Sequence, residues 1–288
     1  MASLPQGFLA AGMHAGLKSS GAFDLTLIQN VGPRFDAAAV YTSNQVVAAP
    51  VSWSREVTKG SIVRAAILNS GGANACTGSE GFLDTHRTAE KVGELLEVSS
   101  GEVVVCSTGL IGERLPLEKI LNGAQKLSQA MNSDSLEDVA RAIMTTDTVP
   151  KIAEQEIRGT RTVGVAKGAG MLAPALATML TVVMTDAILP PNAQEMFSRV
   201  CDRTFNRIDS DGCMSTNDTV LLMGSGASGV ELPAAQLEEI LMQICGSLAA
   251  QLIEDAEGST KTVAITIEGA LSESDAVAVA RACARNNL

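Results

Sequence analysis

Two apolar, β-branched stretches, residues 162–166 and 179–185, flank the run Lys167-Gly-Ala-Gly-Met-Leu-Ala-Pro-Ala-Leu-Ala177. This arrangement restricts the chain more than any other. Val and Thr at such density favour strands, and a connection rich in Gly and Pro reads as a turn. The pattern places Thr178 after a small residue, at the mouth of a buried strand. A chain built this way suits self-cleavage ahead of Thr178. The hydroxyl would attack the Ala177 carbonyl, an N→O acyl shift would give an ester, and hydrolysis would free a threonine N-terminus. Gly168, Gly170 and Pro174 can supply a strained turn. The freed α-amino group is then a base tethered beside its own hydroxyl. Its ordinary pKa of roughly 7.7–8.0 leaves a usable neutral fraction near pH 7. On residue type alone, a plain strand-start threonine is the competing reading.

The remaining pattern predicts strands over 25–28, 37–41, 62–68, 103–106, 219–223 and 262–267. It predicts helices over 83–96, 117–131, 136–144, 192–205, 233–253 and 274–285. Ser135, with Asp138 three residues on, is the expected cap of the third of these. The fifth is expected to break near Gly246. Strands and helices mixed with long connections imply an α+β fold, a layered sandwich. No repeat, low-complexity stretch or linker interrupts it.

The chain has 288 residues, 46% of them apolar and 3% aromatic, so its core must be built from aliphatic residues. A net charge of −11 disfavours nucleic acid and anionic membrane surfaces as partners. The six cysteines are scattered, with no Cys-x-x-Cys pair, as for reduced thiols in a cytoplasmic protein. His14 and His86 are too far apart to suggest a local metal site. No basic, apolar leader opens the sequence.

Several polar, glycine-rich turns follow predicted strands. Gly168-Ala-Gly170-Met-Leu-Ala173 mimics a dinucleotide fingerprint, with Asp186 near the distance of a ribose ligand. However, a strand rather than a helix is expected after it. Thr108-Gly109 can present a hydroxyl and a backbone N–H to a developing oxyanion. Residues 69–78, Met144-Thr-Thr-Asp147 and Ser215-Thr-Asn-Asp218-Thr219 read either as site lining or as plain turns. Glu257, expected near a helix C-terminus, is electrostatically out of place there and hints at a role.

Taken in order, these segments resemble the glutamate N-acetyltransferase / ornithine acetyltransferase family of arginine biosynthesis, and the wording is closest to its actinobacterial members. The resemblance runs from about Gly7 to Leu288. Its motifs are Asn69-Ser-Gly-Gly-Ala-Asn-Ala-Cys-Thr-Gly78, Cys106-Ser-Thr-Gly-Leu-Ile-Gly112, Ala142-Ile-Met-Thr-Thr-Asp147, Lys167-Gly-Ala-Gly-Met-Leu-Ala-Pro174, Ala177-Thr178-Met-Leu180, Ser215-Thr-Asn-Asp-Thr-Val220 and Asp255-Ala-Glu-Gly258. It implies the layered sandwich of the self-processing ornithine acetyltransferase type, cut between Ala177 and Thr178. Residues 1–177 would form an α chain, and residues 178–288 the beginning of a β chain.

The resemblance further implies Thr178 as the acyl-carrying nucleophile and Thr108 with Gly109 as the oxyanion hole. Thr145, Lys167, Thr178 and Glu257 would contact substrate. By charge, Lys167 is assigned to a substrate carboxylate and Glu257 to an ammonium group. The implied reaction moves an acetyl group from N2-acetylornithine to glutamate in the cytoplasm. It needs no cofactor and leaves acetyl-CoA open as a second donor. The implied assembly is a heterotetramer of two α and two β chains. Members of the family are expected to continue beyond the point matching Leu288. Two other readings stand beside this one: an N-terminal-nucleophile amidohydrolase or aminopeptidase, and an inactive truncated remnant.

Overall fold

The computed structural model describes residues 3–172 and 179–286. Two β-sheets lie face to face. The first runs in the order β1 (Phe8–Met13), β2 (Leu25–Asn30), β4 (Ala65–Asn69), β5 (Val103–Ser107). The second runs β3 (Asp36–Tyr41), β9 (Thr219–Gly224), β8 (Leu180–Thr185), β7 (Thr160–Lys167), β6 (Lys151–Ile157). Each sheet contains one parallel pair, β4 with β5 and β8 with β9; the other neighbours are antiparallel. A parallel pair needs a crossover. Helix α2 (Gly78–Leu96) lies on the first crossover and α5 (Ala193–Arg203) on the second.

Period-2 side chains sort the core into three levels. Ala66, Leu68, Val104 and Cys106 of the first sheet share one cluster with Val163, Val165, Leu180, Val182 and Met184 of the second. The alternate residues Ala65, Ile67, Val103 and Val105 face α2 and α3 (Leu117–Ala130) on the outer side. Val183, Val220 and Leu222 face α5 and α6 (Ala234–Glu254) on the other. The result is a four-layer sandwich, helices outside and sheets within. Helix α4 (Leu136–Ile143) also turns its apolar side to the inter-sheet cluster. Each fully buried aliphatic side chain here contributes about 1.5–3 kcal/mol.

Five stretches depart from the sequence pattern. Strand β1, with its two alanines and a glycine, and strand β6, with lysine and two glutamates, lack a strong strand signature. Both are edge strands. Helix α1 (Ala49–Thr58) lies where the pattern predicts no element; its second residue is a proline, which suits a first turn. Helix α6 does not break at Gly246, because Leu241, Ile244, Cys245 and Leu248 bury one face through that point. The stretch 262–267 is not a strand and is mostly exposed. It has no neighbour to pair with among the described residues, and alternation alone supplies no hydrogen bonds.

Ser135 does not cap α4 with its side chain. Its hydroxyl donates instead to the Ala10 carbonyl at 2.6 Å and ties the helix to β1. Among the described residues no helix is long and apolar enough to cross a membrane.

Candidate functional site

The parallel pair β4–β5 ends in register, Asn69 opposite Ser107. The polar turns that follow these two strands therefore emerge side by side. In the facing sheet, Lys167 ends β7 opposite Leu180, which opens β8, and Leu180 in turn lies opposite Thr219 of β9. Asn217 links the two sheets at this point. Its side-chain amide donates to the Ser107 carbonyl at 2.8 Å and also to the carbonyl of Ala73. The amide of Asn69 donates to the Ser107 hydroxyl at 2.6 Å. Three segments that read in sequence as separate polar turns thus form one wall.

Thr108 and Gly109 project from that wall. The Thr108 N–H is taken by the Asn69 carbonyl at 3.0 Å. Gly109 has φ +132°, and a Cβ there would lie 2.7 Å from the Gly72 nitrogen, so only glycine fits. The Gly109 N–H has no hydrogen-bond acceptor among the described residues. The Thr108 oxygen accepts from the Lys167 ammonium at 3.3 Å, leaving its own hydrogen available. A free N–H and a free O–H on consecutive residues are the donors an oxyanion needs.

Lys167 is fully buried. Burial pulls its pKa down to about 8, against the opposing pull of Asp147 and Asp218. Burial alone would raise the Asp147 carboxyl, but Lys167, Lys151 and the Gly168 N–H together hold it below the usual range. Its Oδ1 accepts from Lys151 and from Gly168 N–H, both at 2.7 Å. Its Oδ2 accepts the Thr145 N–H at 2.9 Å. One carboxylate therefore fixes both Thr145 and the start of the glycine turn. Lys151 is completed by Asp255 at 2.6 Å.

Glu257 lies three residues beyond the end of α6, not within it. Its N–H donates to the Ala169 carbonyl at 2.7 Å, and its carboxylate accepts from the Thr146 hydroxyl. A Cβ on Gly170 would come within 3.0 Å of that carboxylate, so the bare glycine makes room for it.

Thr108, Gly109, Thr145, Lys167 and Glu257 all line one cleft of about 660 Å³. Ala177 and Thr178 lie outside the described residues. The cleft also holds Lys18, Ser70 and Asp211. Lys18 is half-buried and donates to the carbonyls of Phe23 and Met144 at 2.9 and 2.6 Å. Cations and carboxylates around one cavity suit a small zwitterion. Among the described residues no cluster of His, Cys, Asp and Glu forms a metal site.

Sequence reasoning missed Lys18, and had no means to find it: a lone lysine between Leu17 and Ser19 carries no pattern. It also leaves the clusters that hold Asp147 and Asp218 open between site lining and plain turns. Both are buried, and their only signal was membership of short polar clusters. The dinucleotide reading of residues 168–173 finds no support, since β8 rather than a helix comes next in the fold.

Comparison with known proteins decides the family. The ArgJ family model matches residues 9–288. The chain belongs to the ArgJ family. The arginine biosynthesis bifunctional protein ArgJ of Streptomyces avermitilis is 54% identical over 98% of this chain and 74% of its own length. The solved ornithine acetyltransferase of Mycobacterium tuberculosis, complexed with ornithine, is 46% identical. It covers 61% of this chain and 94% of its own, with a TM-score of 0.54. The L-aminopeptidase D-Ala-esterase/amidase of Ochrobactrum anthropi, described as a variant of the Ntn hydrolase fold, covers 90% of each chain at a TM-score of 0.50. At 10% identity it shares the fold alone. The ArgJ sandwich is thus an architecture on which other activities are also built.

Proposed function

We propose that this ArgJ family member transfers an acetyl group from N2-acetylornithine to glutamate through an ester on Thr178, after cutting itself between Ala177 and Thr178. The Thr178 oxygen attacks the acetyl carbonyl while its own α-amino group takes the proton. The resulting oxyanion sits against the Thr108 hydroxyl and the Gly109 N–H. The C–N bond breaks, and ornithine leaves with the proton on its nitrogen. The amine of glutamate then attacks the ester, and the threonine hydroxyl is restored. Lys167 and Thr145 hold the substrate from within the cleft, and Glu257 takes an ammonium group at its rim. The same ester leaves acetyl-CoA open as a second donor. No cofactor is required, and the cytoplasm is the expected location.

The observation that carries this reading is the convergence of Thr108, Gly109, Thr145, Lys167 and Glu257 on one cleft. These five residues come from four segments that are distant in sequence. The cut would leave residues 1–177 in one piece and residues 178–288 in the other. The two pieces would be the α and β chains, paired as a heterotetramer.

Intact mass of the purified protein beside a Thr178→Ala variant tests it. The expected result is two pieces of 177 and 111 residues from the parent and one whole chain from the variant. Acetyl transfer from acetylornithine should then require glutamate. Release of free acetate without an acceptor would make the protein a hydrolase, and an uncut, inactive parent would overturn the reading.

A further inference from the structure

Lys18 reaches the cleft from a loop that one carboxylate ties down. Asp24 is fully buried and accepts the N–H groups of Ala15, Leu17 and Lys18 at 2.6, 2.7 and 2.9 Å. Its carbonyl accepts the Ser70 N–H at 3.0 Å, and a Cβ on Gly71 would collide with Leu17. The loop is therefore seated against the turn that follows β4. A lysine ammonium has three hydrogens to donate. The carbonyls of Phe23 and Met144 take two of them. Among the described residues nothing takes the third, and Lys18 lines the cleft. Burial pulls its pKa below the ordinary value, while Asp24 and Asp147 pull it back. An ammonium held in place beside a cavity, with a hydrogen to spare, suits an anion.

The turn 144–147 sets this ammonium among the other charges of the cleft. Lys18 donates to the Met144 carbonyl, and Glu257 accepts from the hydroxyl of Thr146 on the same turn. After burial, Lys18 is itself among the charges that lower the Lys167 pKa, so the two ammonium groups feel each other. The ionisable groups lining the cleft are Lys18, Lys167, Asp211 and Glu257. Donor and acceptor make different demands on them. Both react at the α-nitrogen, so both put the α-carboxylate in one place, which Lys167 serves. Their side chains have the same number of bonds from Cα to the charged tip, but acetylornithine ends in an ammonium and glutamate in a carboxylate. Glu257 suits the first tip and repels the second. Among the described residues that line the cleft, Lys18 is the cation left to receive that carboxylate.

We propose that Lys18 is a specificity-determining residue for the acceptor: its ammonium holds the side-chain carboxylate of glutamate, beside the place where Glu257 holds the side-chain ammonium of acetylornithine. This rests on the acetyl-transfer reading above. The two tips share one end of the cleft and find opposite charges there, so one cavity serves both half-reactions. Without Lys18 the carboxylate tip would meet Glu257 alone, a repulsion that a low-dielectric cavity strengthens. Glutamine has nearly the same shape as glutamate and no charge at the tip, so it gains nothing from Lys18 and measures the effect.

Lys18→Met removes the charge and nearly keeps the side-chain length. With acetylornithine as donor and glutamate and glutamine as competing acceptors, the parent should favour glutamate in kcat/KM. That preference should fall about tenfold or more in the variant, because the charged contact is lost for glutamate alone. Release of ornithine without an acceptor should fall by a smaller factor. Lys18→Gln, whose amide can still donate to backbone carbonyls, should lose the preference as well. Calorimetric titration with glutamate and with glutamine reads the contact without turnover. The parent should bind glutamate more tightly, and both variants should bind the two amino acids about equally. A preference within about threefold of the parent's in either variant would overturn the proposal. So would a parent that binds the two alike, or a loss shared equally by ornithine release and glutamate uptake, which would make Lys18 a brace between loops. A parent that prefers glutamate in the titration but transfers no acetyl group would instead overturn the acetyl-transfer reading.

Discussion

The body of the molecule and its last stretch are held by different forces. From β1 to the end of α6, helices and strands bury apolar faces in three stacked clusters. From residue 257 to 286, almost every residue is exposed, and helix α7 (Glu273–Ala284) has no buried residue at all. What ties α7 to the body is charge. Glu273 meets Arg203 and Arg207 at 3.0 and 2.6 Å, and Arg285 meets Asp209 at 2.8 Å. Both regions carry good local signals. Helix α7 has a Ser272 cap that accepts the Asp275 N–H at 3.1 Å, and residues 262–267 alternate as cleanly as any strand in the sheets. A helix closes its own hydrogen bonds and forms regardless. A strand cannot, and without a neighbour its pattern goes unused.

Substitutions can break or sharpen this contrast, and the largest effect belongs to the buried ion cluster. Lys151→Met should cost about 3–5 kcal/mol in urea unfolding, because it strands Asp147 and Asp255 around an apolar chain. Leu248→Ala, in the cluster between α6 and the second sheet, should cost about 2–5 kcal/mol by the same measurement.

Lys167 should leave a pH signature. Its folded pKa of about 8 lies below the ordinary 10.5, so between these values the unfolded chain binds the extra proton. Stability should therefore rise with pH across that window, by roughly 3 kcal/mol at 1.36 kcal/mol per unit. Lys167→Met should flatten this rise in a series of urea curves.

Ile265→Ser, in the unpaired stretch, should change global stability by less than about 0.5 kcal/mol. A larger loss would mean that residues 262–267 are bound to something in solution. Smallest of all, Glu273→Gln should leave the urea midpoint where it is and speed protease cleavage between α6 and α7. An unchanged digestion pattern would show that ion pairs do not hold α7.

The same contrast explains how much could be read from the sequence. Strands β8 and β9 were plain, since Thr-Val-Val-Met and Thr-Val-Leu-Leu-Met leave a buried sheet as the economical solution. Edge strands β1 and β6 were not, because an edge tolerates Ala, Gly and Glu that central positions would not. Within the site, residues in glycine-rich motifs were legible as a group. The two acids that organise them, Asp147 and Asp218, act through backbone N–H groups distant in sequence. Such partners have no spacing to recognise. Lys18 reaches the cleft only because it is held by Phe23 and by Met144, 126 residues away.

The order of strands in the second sheet has a consequence for the life of the protein. β8 and β9 are flanked by β7 on one side and β3 on the other. A cut before β8 would give the flanking strands to one polypeptide and the central pair to the other. The mature molecule would then hold its shape from a chain link it no longer has. Heating and cooling curves would not overlay, and recovery after melting would fall with dilution, because two pieces would have to find each other where one chain once sufficed.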